Sequence, residues 1–391
     1  MRQIPGTLRK RSAGKRAHSF VQALIFLASL CLALLVLWEI FETLVLPRKI
    51  DRKFRVTRYY YLSAWRAWYF LSDRVAQPKR RAALLSIFGP FSLLGLFVVW
   101  GVSLALAFAL MNWSINSSFK LPDGEGPGFG LDLYMSGTTL TTLGLGDVTP
   151  RSPAARFATV VEAGLGLALV ALVISYLPAL YQAFSWREVE ISLLDARAGS
   201  PPSATELLRR SARGGCPQSL TRFLADWERW CAEIMESHIS YPVLCYFRSQ
   251  HTNQSWVTAL TAILDTCALC VACLEHDSSS QANLTFAMGR HAVVDITQVF
   301  HREPSTNMPQ RLSREGFRSI WADLGKHGYK LHSEEESWGR LDQMRRLYEP
   351  YVVTLSHHLR MELAPWTHPE GVKDNWVATK WQRVGQSSII E

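Results

Sequence analysis

The residues of this 391-residue chain whose types and spacing point most directly to chemistry are Thr141-Thr142-Leu143-Gly144-Leu145-Gly146-Asp147. Glycines at alternate positions permit backbone angles closed to other residues. Carbonyls of successive residues can then turn to one side. Several such strands around an axis would stack their oxygens into cages that replace the water around a desolvated monovalent cation. The Thr142 hydroxyl would add oxygen at the inner end. A second group with chemical potential is Glu162, the one charged side chain between Phe157 and Trp186.

Elements must hold such a strand, and charge distribution shows which ones are available. Residues 82–119 carry no charged side chain, and 19–46 hold only Glu39 and Glu42. With 157–186, these three runs are each long enough to cross about 30 Å of hydrocarbon as helix. They exclude a wholly soluble, disordered or collagen-like chain. Between the second and third runs lie residues 119–130, expected as loop because Leu121–Gly128 is too rich in Gly and Pro for a regular element, and about 129–141, too short to span. The order is therefore span, half-helix, Gly-rich strand, span. Backbone that is not helical survives at membrane depth only where it lines a cavity or is buried in protein. The half-helix would aim its negative C-terminal end at that cavity, which favours a cation.

In this setting Thr-Thr-Leu-Gly-Leu-Gly-Asp resembles the potassium-channel signature, Thr-Val-Gly-Tyr-Gly-Asp, with Leu143 for Val and Leu145 for Tyr. Leu or Phe in the latter place resembles the second pores of two-pore-domain channels. The resemblance covers residues 83–186 and implies a prokaryotic-like, single-pore member of the potassium-channel pore-domain family. By resemblance, Thr142, Leu143, Gly144, Leu145 and Gly146 form the selectivity filter, with K⁺ held on the carbonyls of residues 142–145. Thr138, Thr141, Asp147 and Glu162 support it. Glu162 is expected behind the filter, bonded to Ser136 or Thr139; the alternative is an outer-end carboxylate facing water. Gly166 and Pro178 stand where the family's inner helix bends, although Gly166 could equally serve close packing. One chain supplies one filter strand, so a homotetramer is implied.

The expected fold is an all-α membrane protein. It comprises a basic tail (1–19), a first transmembrane helix (20–46), a basic aromatic interfacial segment (47–82), the pore domain (83–186) and an all-α helical domain facing the cytosol (187–391). The net charge is +9, but residues 1–82 alone carry 17 Lys+Arg against 4 Asp+Glu. Eleven of those cations lie in 48–81, mixed with Tyr59–Tyr61, Trp65, Trp68, Tyr69 and Phe70, which suits a helix at anionic headgroups; a soluble amphipathic linker is the alternative. The first run is too long for a signal-peptide core and is expected to be retained. Three spans put 48–81 inside, as the positive-inside rule favours, and the basic tail outside, against it; the alternative is a fourth span at 56–72 with the tail inside. The location implied is the plasma or inner membrane.

Beyond residue 187, helical periodicity marks 220–234, and helices are expected at 255–275, 283–301, 312–325 and 335–362, with a capping box at Ser203–Glu206. Cys267, Cys270 and Cys273 are expected as core thiols, and His291, Asp295 and His301 as a chance grouping. There is no arginine-every-third-residue voltage sensor, no nucleotide-binding or nucleic-acid motif, and no paired carboxylates or nucleophile elbow to suggest an enzyme. No cofactor is expected beyond K⁺ as permeant ion. The reading is a passive potassium channel; a non-selective cation channel and a membrane-anchored scaffold with a vestigial pore are the alternatives.

Overall fold

In a computed structural model, which describes residues 6–46, 55–115, 119–120, 126–213, 217–250, 253–275, 278–306 and 310–375, helices account for nearly all regular structure. They are α1 (Gly6–Ile40), α2 (Val56–Asp73), α3 (Pro78–Ser114), α4 (Phe129–Leu140), α5 (Pro153–Ala198), α6 (Ala204–Arg213), α7 (Pro217–Ser240), α8 (Trp256–Cys273), α9 (Ser278–Val299), α10 (Arg314–Lys326) and α11 (Glu334–Leu359). Stretches of α1, α3 and α5 are long and apolar enough to cross a membrane, and the molecule is an all-α membrane protein. The chain packs as two compact units, 1–77 with 90–179 and 78–89 with 180–391. The sequence boundaries at 82/83 and 186/187 therefore do not coincide with the divisions by packing, which fall inside α3 and α5. Charged residues at 79–81 and 187–197 end the apolar runs without ending the helices.

In the first unit, Val36 and Ile40 of α1 join Leu96, Trp100 and Leu104 of α3 and Leu140 of α4 in one buried cluster. Large apolar side chains on the other face of α1, among them Leu24, Leu27 and Leu34, are exposed, as lipid contact requires. Helix α1 passes into a π-helical turn at Phe41–Val45. Its two carboxylates are consumed locally. Glu39 accepts from the amides of Val56 and Thr57, each at 3.1 Å, and from the Thr57 hydroxyl at 2.8 Å. It thus does for the first turn of α2 what an N-cap side chain does; Arg55, at the cap position, offers none. Glu42 accepts from the Trp38 indole at 2.7 Å and lies 3.8 Å from the Arg55 guanidinium. Helix α2 crosses α3, with Tyr60 donating to the Ser92 carbonyl at 2.7 Å and Trp68 against Phe91.

Residues 119–130 were expected as loop throughout. Instead Phe119–Lys120 and Thr149–Pro150 form a two-residue antiparallel pair, since the chain entering α4 and the chain leaving the 141–147 stretch run side by side. Phe119 packs there with Met135, Val148 and Ala155.

The second unit is a bundle of α7, α8, α9 and α11. By length and composition α8 could cross a membrane, yet every residue of it except Val271 is buried within this unit. Its one carboxylate, Asp265, pairs with Arg311 at 2.6 Å and accepts from the Tyr348 hydroxyl. Glu349 bridges Arg311 and Arg345, and both guanidinium groups lie over Trp366. Cys267, Cys270 and Cys273 are buried thiols, and Trp227 and Trp230 stack in the core with ring centroids 4.6 Å apart. Ser203 caps α6 through the Glu206 amide at 3.4 Å, but the Glu206 carboxylate turns to Arg209 and Arg210, so the reciprocal half of the capping box is missing.

One segment of this unit, 242–249, is held by the lower part of α5. Arg187 is buried and donates to the carbonyls of Leu244 (3.1 Å) and Phe247 (2.8 Å), beside Glu188 and His238. The Phe247 ring sits against Tyr181 and Phe184 and over Gly89, where a Cβ would overlap it.

Candidate functional site: the 141–147 strand

Helix α4 ends at Leu140, and its last carbonyls are passed to the strand that follows. Thr138 accepts from the amides of Leu143 (2.8 Å) and Gly144 (3.3 Å), and Thr139 accepts from that of Thr142 (3.0 Å). The Thr141 hydroxyl donates to the Gly137 carbonyl at 2.7 Å. Orphan groups of a helix end are thereby used to fix the strand. Thr142, Gly144 and Gly146 have φ of 57°, 55° and 80°. Positive φ at every second residue is what a strand needs to turn successive carbonyls to one side. Glycine adopts it freely, whereas the β-branched Thr142 is strained there. That third position was not legible from the glycine pattern.

All seven residues of the strand are exposed in a single chain, Leu143 and Leu145 each by 61%, so one copy gives the strand no opposing wall. At its outer end, Asp147 accepts from the Tyr134 hydroxyl at 2.7 Å and from the Val148 amide at 3.0 Å. The Tyr134 bond holds the Asp147 carboxyl below its ordinary value. Tyr134 was not singled out in the sequence, because its partner is thirteen residues away across the strand.

Behind the strand, Glu162 is buried, not facing water. Of its two expected partners, Ser136 is the one brought to it. The Ser136 hydroxyl stands between the Glu162 carboxyl and the Ala105 carbonyl of α3, 2.8 Å away. With one proton, it donates to one of them at a time. A single residue of α4 thus ties α3, α4 and α5 together behind the 141–147 strand. Gly166 lies against the Leu140 carbonyl, and a Cβ there would run into that backbone. This gives the glycine a packing reason at the end of the half-helix. Pro178 lies within α5, which continues through it, and does not join the filter.

The other constellations do not assemble. His291 approaches Asp295 at 3.7 Å, while His301 turns to the Val299 carbonyl. Among the described residues, no group of three His, Cys, Asp or Glu could hold a metal. Arg209 and Arg210 are spent on Asp323, Glu206 and Asp374.

Comparison with known proteins matches residues 95–183, from the middle of α3 to the middle of α5, to a family model described as an ion channel. This part of the chain is thus similar to an ion-channel domain. Over 185 residues the chain is also 23% identical to the uncharacterized membrane protein YdjJ of Bacillus subtilis (strain 168), covering 47% of this chain. The chain spans about half (53%) of that relative's length. No solved structure matches at a comparable level.

Proposed function

We propose that the chain is one subunit of a homotetrameric potassium channel in the plasma or inner membrane, conducting passively and not gated by voltage. The observation that carries this reading is the alternation of positive φ at 142, 144 and 146 on a strand anchored to the Thr138 carbonyl. Four such strands about an axis form the cages in which K⁺, as the transported ion, sits on the carbonyls of residues 142–145. The exposure of Leu143 and Leu145 supports the ring, because further copies would wall the strand. Thr138, Thr141, Asp147 and Glu162 act as its supports, and Gly166 and Pro178 shape the inner helix, Gly166 by its seat on Leu140. Helices α1, α3 and α5 give three spans. The eleven Lys and Arg of 48–81 support placing that segment at the inner, anionic headgroups, which with three spans puts the tail outside. The domain from 187 onward acts as a non-enzymatic helical module.

The test is flux from liposomes holding purified protein under K⁺ and then Na⁺ gradients, with Ba²⁺ as blocker. K⁺ flux that Ba²⁺ stops is expected; a tetramer without flux would favour the scaffold. Leu145 in place of Tyr favours a second reading, a cation channel with weak selectivity, because it removes a hydroxyl that could brace the strand. Reversal potentials in mixed K⁺ and Na⁺ separate the two.

A further inference from the structure

Residues 242–249 join α7 to α8, and the pore reading gives them no role. They form a short 3-10 turn that runs into extended chain, with Val243 to Phe247 buried. Buried carbonyls in so irregular a stretch need donors from elsewhere. Helix α5 supplies them. Arg187 donates to the carbonyls of Leu244 and Phe247 at 3.1 and 2.8 Å. The next residue, Glu188, balances that guanidinium at 2.9 Å and accepts from the Ser249 hydroxyl at 3.1 Å. Helix α3 meets the same segment with two consecutive residues. The Phe88 ring stands edge-on to Tyr246 with centroids 5.1 Å apart, and a Cβ on Gly89 would fall 2.6 Å from the Phe247 ring. The segment is fixed to the bundle as well. The Trp256 indole donates to the Cys245 carbonyl at 3.2 Å, and Arg248 donates to the Leu359 and Arg360 carbonyls at 2.9 and 2.6 Å.

Two prolines mark where this grip ends. Packing passes from the second compact unit to the first between Gly89 and Pro90 in α3, and back between Ala179 and Leu180 in α5. Pro90 and Pro178 are the prolines inside those helices. Proline in a helix interior removes the bond to the fourth residue back and clashes with its carbonyl, so a helix bends there most readily. Each helix thus has its weak point beside the place where its packing changes hands.

We infer that 242–249 is a clasp: it locks residues 78–89 of α3 and 180–198 of α5 to the helical bundle, so that they move as one rigid piece hinged at Pro90 and Pro178. Neither stretch can be displaced without breaking contacts to a segment that the other also holds. A movement of the bundle therefore reaches both helices together. Arg187 is a positioning residue, because its two carbonyl bonds and its pairing with Glu188 fix the segment against α5. Gly89 is a second, because any side chain there would push the Phe247 ring away. The clasp does not rest on the channel reading.

The test is pulsed spin-label distance measurement on the full-length protein in lipid, with labelled chains diluted in unlabelled ones so that only distances within a chain are read. The background is Cys31→Ser, Cys216→Ser; the remaining cysteines are buried. Ala83→Cys with Ser185→Cys puts both labels at exposed positions inside the clasped piece. Leu167→Cys with Ser185→Cys spans Pro178 along α5, over about 27 Å. The 83/185 distribution should be narrow and the 167/185 distribution broader. Gly89→Ala favours helix in α3 but displaces Phe247, so it should broaden the 83/185 distribution about twofold and leave 167/185 as it was. Arg187→Met should do the same; if it does not fold, Gly89→Ala decides. An 83/185 distribution as broad as 167/185 in the parent, or one that Gly89→Ala leaves unchanged, would overturn the clasp. K⁺ flux is read on the same parent protein. Narrow 83/185 distances without flux reject the channel reading alone, and flux with broad ones rejects the clasp alone.

Discussion

At the scale of single residues, the strand 141–147 makes its demands through φ and not through space. A Cβ at Gly144 would meet nothing within 4 Å in its own chain, yet φ there is 55°. Gly144→Ala should therefore abolish K⁺ flux while the melting temperature of the protein stays within a degree or two of the parent, since the local cost is about 1 kcal/mol. Glu162→Gln keeps the shape and removes the acid that meets Ser136. We expect the reversal potential in mixed K⁺ and Na⁺ to move toward that of a non-selective pore; an unchanged potential would show that Glu162 does not brace the filter. Gly166→Ala separates two roles. A seat against the Leu140 carbonyl predicts a clear drop in melting temperature, because backbone must give way, whereas a hinge alone would alter opening and leave melting unchanged.

Elements explain how much of this could be read in advance. The half-helix, expected at about 129–141 and found at 129–140, follows from short spacings visible in a sequence. The Ser136–Glu162 meeting, 26 residues apart across the 141–147 strand, came into view through the resemblance to the potassium-channel pore. The Tyr134–Asp147 bond and the β pair at 119–120 and 149–150 join residues separated by a loop, whose path no periodicity encodes. Helix ends are not legible for a different reason. Hydropathy marks where an apolar run stops, and α3 and α5 extend past that point through charged residues at 79–81 and 187–197. Of the two acidic residues near the end of the first apolar run, Glu39 serves as the cap of α2, seventeen and eighteen residues downstream. Glu39→Ala leaves two amides and a hydroxyl without that acceptor, at about 1–3 kcal/mol for each group left unsatisfied. Cleavage by added protease within 47–55 should become faster, and Glu39→Gln, which keeps an acceptor oxygen, should lie between.

For the molecule as a whole, the second unit is stabilised around buried ions. Asp265, Arg311, Glu349 and Arg345 are each nearly enclosed, and attraction from Asp265 and Glu349 outweighs burial to hold the Arg311 guanidinium above its ordinary value. Asp265→Ala strands that charge and should cost about 3–5 kcal/mol, read as a lower denaturant midpoint. Histidines set the response to acid. Burial, with Arg302 nearby, lowers His358 from 6.5 to about 4, and burial beside Arg187 pushes His238 well below 6.5. Both are neutral in the folded state, so the stability they hold is complete above about pH 6.5 and falls as pH drops toward 4. Urea unfolding of the full chain between pH 7 and 4 should show that decline, and His358→Gln should make it shallower.

The carboxylate that reaches from α1 to the first turn of α2 has a consequence for how the chain is made. Glu39 leaves the ribosome before either amide it will accept from. The groups that donate hydrogen bonds to it follow within eighteen residues, ahead of α3 and well ahead of the 141–147 strand. The α1–α2 hairpin can therefore close during synthesis, and the acid need not wait in the bilayer for the rest of the protein. A change at this corner would show first as nascent chains cleared at the translocon, before any defect in ion passage could be measured.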